Sequence, residues 1–313
     1  MTVESMDSSN ELKGVWAAAL TPQTAGLAVD LAAMVAHHRW LLANGCDGVA
    51  VLGTTGEANS FTVAERRAVI DAMAAAGLPA GQVMIGTGCC ALPDTVELTR
   101  AALSAGYHNV LMLPPFYYKG VGDDGLYAAF DHVIQTVGDD RLKVIVYDFP
   151  KMTGLDIGTT LLARLNRAYP DTVVGVKDSS GNRDDMLDVC RAIPGFRTFA
   201  GTEQYLLDVL QAGGAGCISA TANVTAPLCA AVWRAFGKGD AAGAQRAQET
   251  ATEVRLALQA YPAVPSLKAL MAAHTGREGW RHMRPPILPL SAEHERALSE
   301  DMTRLGFALP AAA

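Results

Sequence analysis

Lys177 is the residue whose setting most plainly invites chemistry. The chain has only seven lysines, and this one ends the apolar run Val173-Val174-Gly175-Val176. Strand alternation puts Lys177 on one face with Val173 and Gly175, and Val174 and Val176 on the other. A lysine on the inner face of a buried strand is costly unless it is neutralised, paired or used. Desolvation lowers an amine's pKa, so part of it is free base at neutral pH. A free amine attacks a ketone to give a Schiff base. The residues alone leave open a lysine that reaches solvent or pairs with Asp178.

Other short motifs carry compatible groups. Tyr147 follows Lys143-Val144-Ile145-Val146. Its phenol can move protons to and from a carbinolamine and a substrate hydroxyl, or it can be a core tyrosine with a satisfied hydroxyl. Gly53-Thr54-Thr55-Gly56 joins two hydroxyls to a turn of small residues. Its N–H groups can form a nest for a carboxylate, or it is an ordinary strand-to-helix turn. Glu57 is expected to order that loop. Tyr117 and Tyr118 fit packing at a barrel mouth or a proton relay. His37 and His38 lie beside Arg39 and Trp40 and read as surface or packing residues. No HExxH motif, carboxylate cluster or histidine pair at i, i+4 suggests a metal site, and there is no phosphate-binding loop of the Walker type.

These groups need strands to position them. Short apolar runs at 14–21, 47–53, 82–87, 109–114, 143–149, 173–178, 197–201 and 216–221 predict strands. Their near-continuous apolar character suits parallel strands covered on both faces. Helices are expected between them at 28–44, 62–76, 92–105, 123–137, 158–168, 182–192, 203–212 and 225–236. Thr62 and Glu65 form a capping-box pattern at the start of the second. Eight strand–helix units in a row predict a (β/α)8 TIM barrel over residues 1–236. A doubly wound sheet would carry a GxGxxG loop after its first strand, and here that strand ends in Leu20-Thr21-Pro22. Residues 237–313 predict a C-terminal α-helical extension, with helices at 240–260, 264–274 and 293–304, too short to hold a core alone and packed on the barrel or a partner subunit.

Composition excludes other classes. Of 313 residues, 50% are hydrophobic and 18% charged, too apolar for a disordered chain. The net charge of −7 argues against a general nucleic-acid-binding face. No apolar run is long enough to span a membrane. The N-terminal stretch MTVESMDSSNELK lacks the pattern of a signal peptide. Six cysteines without a CxxC pair predict buried reduced thiols and a cytoplasmic protein.

Catalytic groups of barrel enzymes sit at the C-terminal ends of strands. Read there, the motifs together resemble the dihydrodipicolinate synthase/N-acetylneuraminate lyase family of class I, Schiff-base aldolases. The resemblance covers nearly the whole chain. Ala19-Leu20-Thr21-Pro22 resembles the family's first-strand end. Gly53-Thr54-Thr55-Gly56-Glu57 with Glu65-Arg66 resembles its GTTGE…ER signature. Gly86-Thr87-Gly88, Tyr147-Asp148-Phe149-Pro150 and Val174-Gly175-Val176-Lys177-Asp178-Ser179-Ser180-Gly181 resemble the third-strand motif, YNxP and the GxKDxSG segment. Arg284-Pro285-Pro286 also fits.

The resemblance implies roles. Lys177 forms the imine with pyruvate or another 2-oxo acid, and no metal or separate cofactor is needed. Tyr147 is the general acid/base. Thr54 and Thr55 hold the substrate carboxylate, with a threonine hydroxyl in the proton relay. Tyr118 matches a tyrosine lent to a neighbouring subunit, with Tyr117 as its fallback, and a homotetramer built as a dimer of dimers is expected. Gly201 and Ile218 line the pocket.

Departures from the pattern bear on the substrate. The synthase branch has an arginine two residues after the YNxP proline, which holds the carboxylate of an aldehyde substrate. Here Met152 occupies that place, and methionine cannot make a bidentate carboxylate contact. Lys151 is adjacent, but lysine lacks the planar fork. The lyase branch has an apolar residue there, and its sugar-hydroxyl contacts after the seventh strand are acidic; Glu203 in Thr202-Glu203-Gln204 could hold a polyol. Asp148 replaces the usual asparagine. The leading expectation is a lyase or aldolase, N-acetylneuraminate lyase-like or 2-keto-3-deoxy sugar acid aldolase-like, that joins or releases pyruvate and an aldehyde. A dehydratase on a 2-keto-3-deoxy sugar acid uses the same imine. The alternative is 4-hydroxy-tetrahydrodipicolinate synthase, condensing pyruvate with aspartate semialdehyde. An alternative of another class is a non-catalytic 2-oxo-acid-binding protein.

Overall fold

The computed structural model describes residues 12–311. The polar N-terminal stretch read from the sequence therefore lies largely outside the described residues.

Eight parallel strands close into a barrel in sequence order. They are β1 (Gly14–Ala18), β2 (Gly48–Val51), β3 (Val83–Gly86), β4 (Asn109–Met112), β5 (Lys143–Asp148), β6 (Val173–Asp178), β7 (Arg197–Ala200) and β8 (Gly216–Ser219). Helices cover the outside: α1 (Leu31–Ala43), α2 (Val63–Ala75), α3 (Leu92–Ser104), α4 (Asp123–Val137), the short α5 (Pro150–Thr153), α6 (Thr159–Ala168), α7 (Arg183–Ala192), α8 (Leu206–Gln211) and α9 (Ala222–Gly237). The expected (β/α)8 barrel is thus found, with strands shorter than the apolar runs because their last residues turn into loops. The Thr62–Glu65 capping box is present at the start of α2, satisfying N–H groups the helix cannot pair itself.

Two apolar layers flank the strands, which is why the strand sequences do not alternate cleanly. Trp16, Met84, Leu111, Ile145 and Phe199 fill the barrel interior. Val15, Val49, Val83, Val110 and Val144 face the helices. Gly48 is required by this packing, because a Cβ there would lie 2.5 Å from the Trp16 ring. One face assignment is corrected. Val174 belongs to the interior layer, and Val173 and Val176 to the outer one. The β5–β6 register shifts between Val144 and Ile145, which pair with Val173 and Gly175. The bulge breaks strict alternation before Lys177.

The extension consists of α10 (Ala241–Gln259), α11 (Ala263–Thr275) and α12 (Ala292–Arg304). Its apolar residues Val254, Leu258, Leu267, Met271 and Met302 form one cluster with Leu20 and Val224 of the barrel. The extension therefore packs on the barrel beside the strand ends. Among the described residues no helix is long and apolar enough to cross a membrane. His37 and His38 are buried in packing, where desolvation lowers them to about 4 and about 3. Four cysteines are buried and free as expected, Cys89 is half-buried, and Cys90 is exposed.

Candidate active site

The parallel register makes Tyr147 and Lys177 direct neighbours at the C-terminal ends of β5 and β6. Both are buried, each 3% exposed. Lys177 Nζ lies 4.2 Å from the centre of the Tyr147 ring. The pairing with Asp178 that the sequence leaves open is not made. Asp178 occupies the opposite face, where its carboxylate accepts from the Ser180 N–H and hydroxyl. Lys177 is thus a buried amine with no carboxylate partner among the described residues.

The loop after β2 brings the hydroxyls. Thr54 Oγ1 stands 3.4 Å from Tyr147 Oη, at the long edge of a hydrogen bond. Thr55 is buried in the same turn. Leu52 and Glu57 both adopt positive φ, at 59° and 56°. Such backbone persists only where its surroundings over-determine it. Here the Thr21 hydroxyl donates to the Gly56 carbonyl at 2.9 Å, and Gln23 donates to the Glu57 carboxylate at 2.9 Å. Lys268 from α11 donates to the same carboxylate and to the His282 carbonyl. Glu57 and Lys268 form an ion pair with no exposed side-chain surface. Burial pulls the Lys268 amine below its ordinary value, and the facing Glu57 charge opposes that. Glu57 therefore orders the loop, as expected from the sequence.

The rest of the GTTGE…ER pattern is structural support. Arg66 donates to the Gly86 carbonyl at 2.8 Å and so pins the end of β3 to α2. Arg284 of the extension donates to the carbonyls of Leu27 and Ser60 and pairs with Glu65. That pairing, with the Thr62 N–H, holds the Glu65 carboxyl well below the usual carboxylate range.

Other candidate residues divide. Ile218 faces the barrel interior in the cluster that contains Tyr147. Gly201 leaves no room for a side chain, since a Cβ would lie 2.2 Å from Ser179 Oγ. Three candidates are not brought to Lys177 within the chain. Tyr118 is 75% exposed on the loop before α4, edge-on to Tyr117. Met152 is 61% exposed on α5. Glu203 is fully buried, and its carboxylate accepts from the Ser219, Thr221 and Thr225 hydroxyls. With its oxygens so engaged, Glu203 has little left for a polyol and serves to join β8 and α9 to the loop after β7.

Three features go beyond the sequence reading, which names Asp148 only as a departure from the usual asparagine and Asp178 only as a possible partner of Lys177. Asp148 and Asp178 follow Tyr147 and Lys177 on their strands and are themselves register partners. Strand alternation could have found them. Burial first, and then the neighbouring Asp178 charge, push the Asp148 carboxyl up to about 8. Lys268 had no local signal, because its partner lies 211 residues away. Arg255 on α10 reaches the turn after β7, where its Nε donates to Thr202 Oγ1 at 3.2 Å.

Known proteins resemble this chain over nearly its whole length. Residues 11–305 match the model of the Dihydrodipicolinate synthetase family. An uncharacterized DapA-like lyase of Chloroflexus aurantiacus is 34% identical over 94% of this chain and 97% of its own length. The 4-hydroxy-tetrahydrodipicolinate synthase of Methanococcoides burtonii is 31% identical over 94% of this chain and 98% of its own. Among solved structures, YagE is a prophage protein of the dihydrodipicolinic acid synthase family from E. coli K12, determined in complex with pyruvate. It superposes with a TM-score of 0.86 at 26% identity, covering 95% of this chain and 99% of its own. The chain therefore belongs to the dihydrodipicolinate synthetase family and is a lyase.

Proposed function

We propose that the protein is a class I aldolase that forms an imine between Lys177 and pyruvate. The observation that carries this reading is the buried Lys177, beside Tyr147 and with no carboxylate partner among the described residues. The amine attacks C2 of the 2-oxo acid, and the carbinolamine loses water to give an iminium. In the cleavage direction the C3–C4 bond breaks and its electron pair becomes the enamine. Tyr147 gives its proton to the carbinolamine hydroxyl as it leaves as water, and the resulting phenolate receives the C4 hydroxyl proton as the aldehyde forms. The enamine is then protonated at C3, and water hydrolyses the imine to release pyruvate and the free amine. Thr54 Oγ1, 3.4 Å from Tyr147 Oη, continues the proton path. The N–H groups and hydroxyls of Thr54 and Thr55 receive the substrate carboxylate, a role that needs no cation. Gly201 and Ile218 bound the pocket.

The aldehyde fragment is that of a hydroxylated sugar acid rather than aspartate semialdehyde. Met152 supports this, because the side chain two residues after Pro150 is uncharged. The synthase activity is the second reading, favoured by the 31% identity to a curated synthase. Tyr118 completes the site of a second copy in a dimer, and two dimers form the tetramer; its 75% exposure in one chain supports that role. Coupled measurement of pyruvate release from 2-keto-3-deoxy sugar acids tests the leading reading. A cyclic product from pyruvate and aspartate semialdehyde, with no release from any sugar acid, would replace it with the second.

A further inference from the structure

Arg255 lies at the catalytic mouth without a role in the chemistry above. It reaches from α10 to the turn that follows β7, and its side chain is 22% exposed. Only the Nε edge is occupied. Nε donates to Thr202 Oγ1 at 3.2 Å and stands 3.7 Å from the Glu203 carboxylate. Glu203 in turn is held by three hydroxyls, so the guanidinium is gripped from behind by a fixed group. The two terminal nitrogens make no hydrogen bond among the described residues. Such a fork matches a carboxylate in bidentate geometry.

Its height above the lysine is informative. Lys177 is the register partner of Phe199 on β7, and Thr202 lies three positions further along the chain, in the bend past Ala200, so at most about 10 Å above it at about 3.3 Å per residue. A 2-oxo acid such as 2-oxoadipate, bound as its imine, extends about 6 Å from C2 to its far carboxylate at about 1.5 Å per bond. A hydrogen bond adds about 3 Å. Two cations after β4 and β5 are less suited. Lys119 already donates to the carbonyls of Phe116 and Thr153. Lys151 is an exposed point charge on α5.

We infer that Arg255 is a specificity residue that selects 2-oxo acids carrying a second carboxylate at the end remote from the imine. The inference rests on the imine reading above and names the substrate class for it.

Borohydride trapping on the full chain tests both, separately. The half-saturating concentrations for adduct formation at Lys177 are compared for 2-oxoadipate and 2-oxohexanoate, which differ in the terminal carboxylate, with pyruvate as common control. The expected result is about a tenfold or greater preference for 2-oxoadipate, the scale of one charge-assisted contact. Arg255→Gln removes the preference and leaves pyruvate half-saturation within about twofold, and Arg255→Lys keeps part of it. Thr202→Val, which frees the guanidinium from its support, weakens the preference and serves if Arg255→Gln does not fold. Equal half-saturation in the unmodified protein, adducts with pyruvate alone, or a preference that survives Arg255→Gln overturns the inference and leaves the imine reading standing. Absence of any adduct, pyruvate's included, removes both.

Discussion

Tyr147 and Lys177 occupy matched register positions on adjacent parallel strands, with the lysine Nζ 4.2 Å from the centre of the phenol ring. Their relation is set by backbone hydrogen bonding rather than by loops, so neither side chain can drift from the other. A site built on strands is more precise than one built on loops. The third member, Thr54, does come from a loop, and that loop is clamped by the buried Glu57–Lys268 pair.

The first prediction concerns the division of labour in this group. Tyr147→Phe keeps the ring packed against Lys177 and removes only the hydroxyl. It should lower kcat roughly 10²–10⁴-fold, the range of positioned acid–base catalysis, while pyruvate is still trapped on Lys177. Thr54→Val should cost less, about tenfold, because its contact is already long. Retention of more than half the rate in Tyr147→Phe would remove the phenol from the mechanism.

The loop clamp has a stability signature. Lys268→Met leaves the Glu57 carboxylate buried without its cation. Breaking a buried pair from one side costs roughly 3–5 kcal/mol. The double variant Glu57→Gln, Lys268→Met should recover part of that loss. Denaturant titration of the three proteins distinguishes the cases, and a single variant as stable as the unmodified protein would show that the pair does not hold the loop.

Asp148 gives a pH dependence with a definite sign. Its folded pKa is raised to about 8, by burial first and then by the Asp178 and Asp156 charges. Asp185 also faces it, and the Ile157 N–H, which donates to its carboxylate at 3.3 Å, pulls the other way. A raised carboxyl pKa means that the folded state holds the proton more tightly than the unfolded chain, whose value is about 3.9. The stabilising contribution is complete below about pH 4 and is lost progressively as pH rises through about 8. Asp148→Asn mimics the protonated form. It should raise stability by ~2–5 kcal/mol at pH 9 and change it little at pH 4. Thermal melts across that range check it, and an equal effect at both ends would refute the assignment.

Much of this was legible in the sequence because barrels are locally encoded. Each strand–helix unit carries its own apolar pattern and caps, and barrel enzymes place catalytic groups at strand ends, so the eight units and Lys177 as a candidate could be read in order. What could not be read depended on distance or on irregularity. The bulge before Gly175 moved Val174 to the other face. No local pattern links Lys268 to Glu57 or Arg255 to Thr202, which meet only after closure. Glu203 was legible as an acid at a strand end, but not that buried hydroxyls from β8 and α9 would surround it.

The exposed Tyr117–Tyr118 pair leads to a prediction about assembly. Light scattering should give a mass four times 32.9 kDa. Lys177→Ala and Tyr118→Phe should each be impaired. When the two variants are dissociated, mixed and reassembled, random pairing within isologous dimers should restore about a quarter of full activity. No recovery from a confirmed mixed assembly would show that Tyr118 does not cross to a partner's site.

The central claim is that Lys177 is the imine-forming residue. Incubation with pyruvate, reduction with borohydride and peptide mass spectrometry test it most directly, with Lys177→Ala as control. The account predicts a reduced pyruvyl adduct on the Val173–Asp178 strand at Lys177, and none in the variant. A well-folded protein that forms no adduct, or carries it on another lysine, would contradict it.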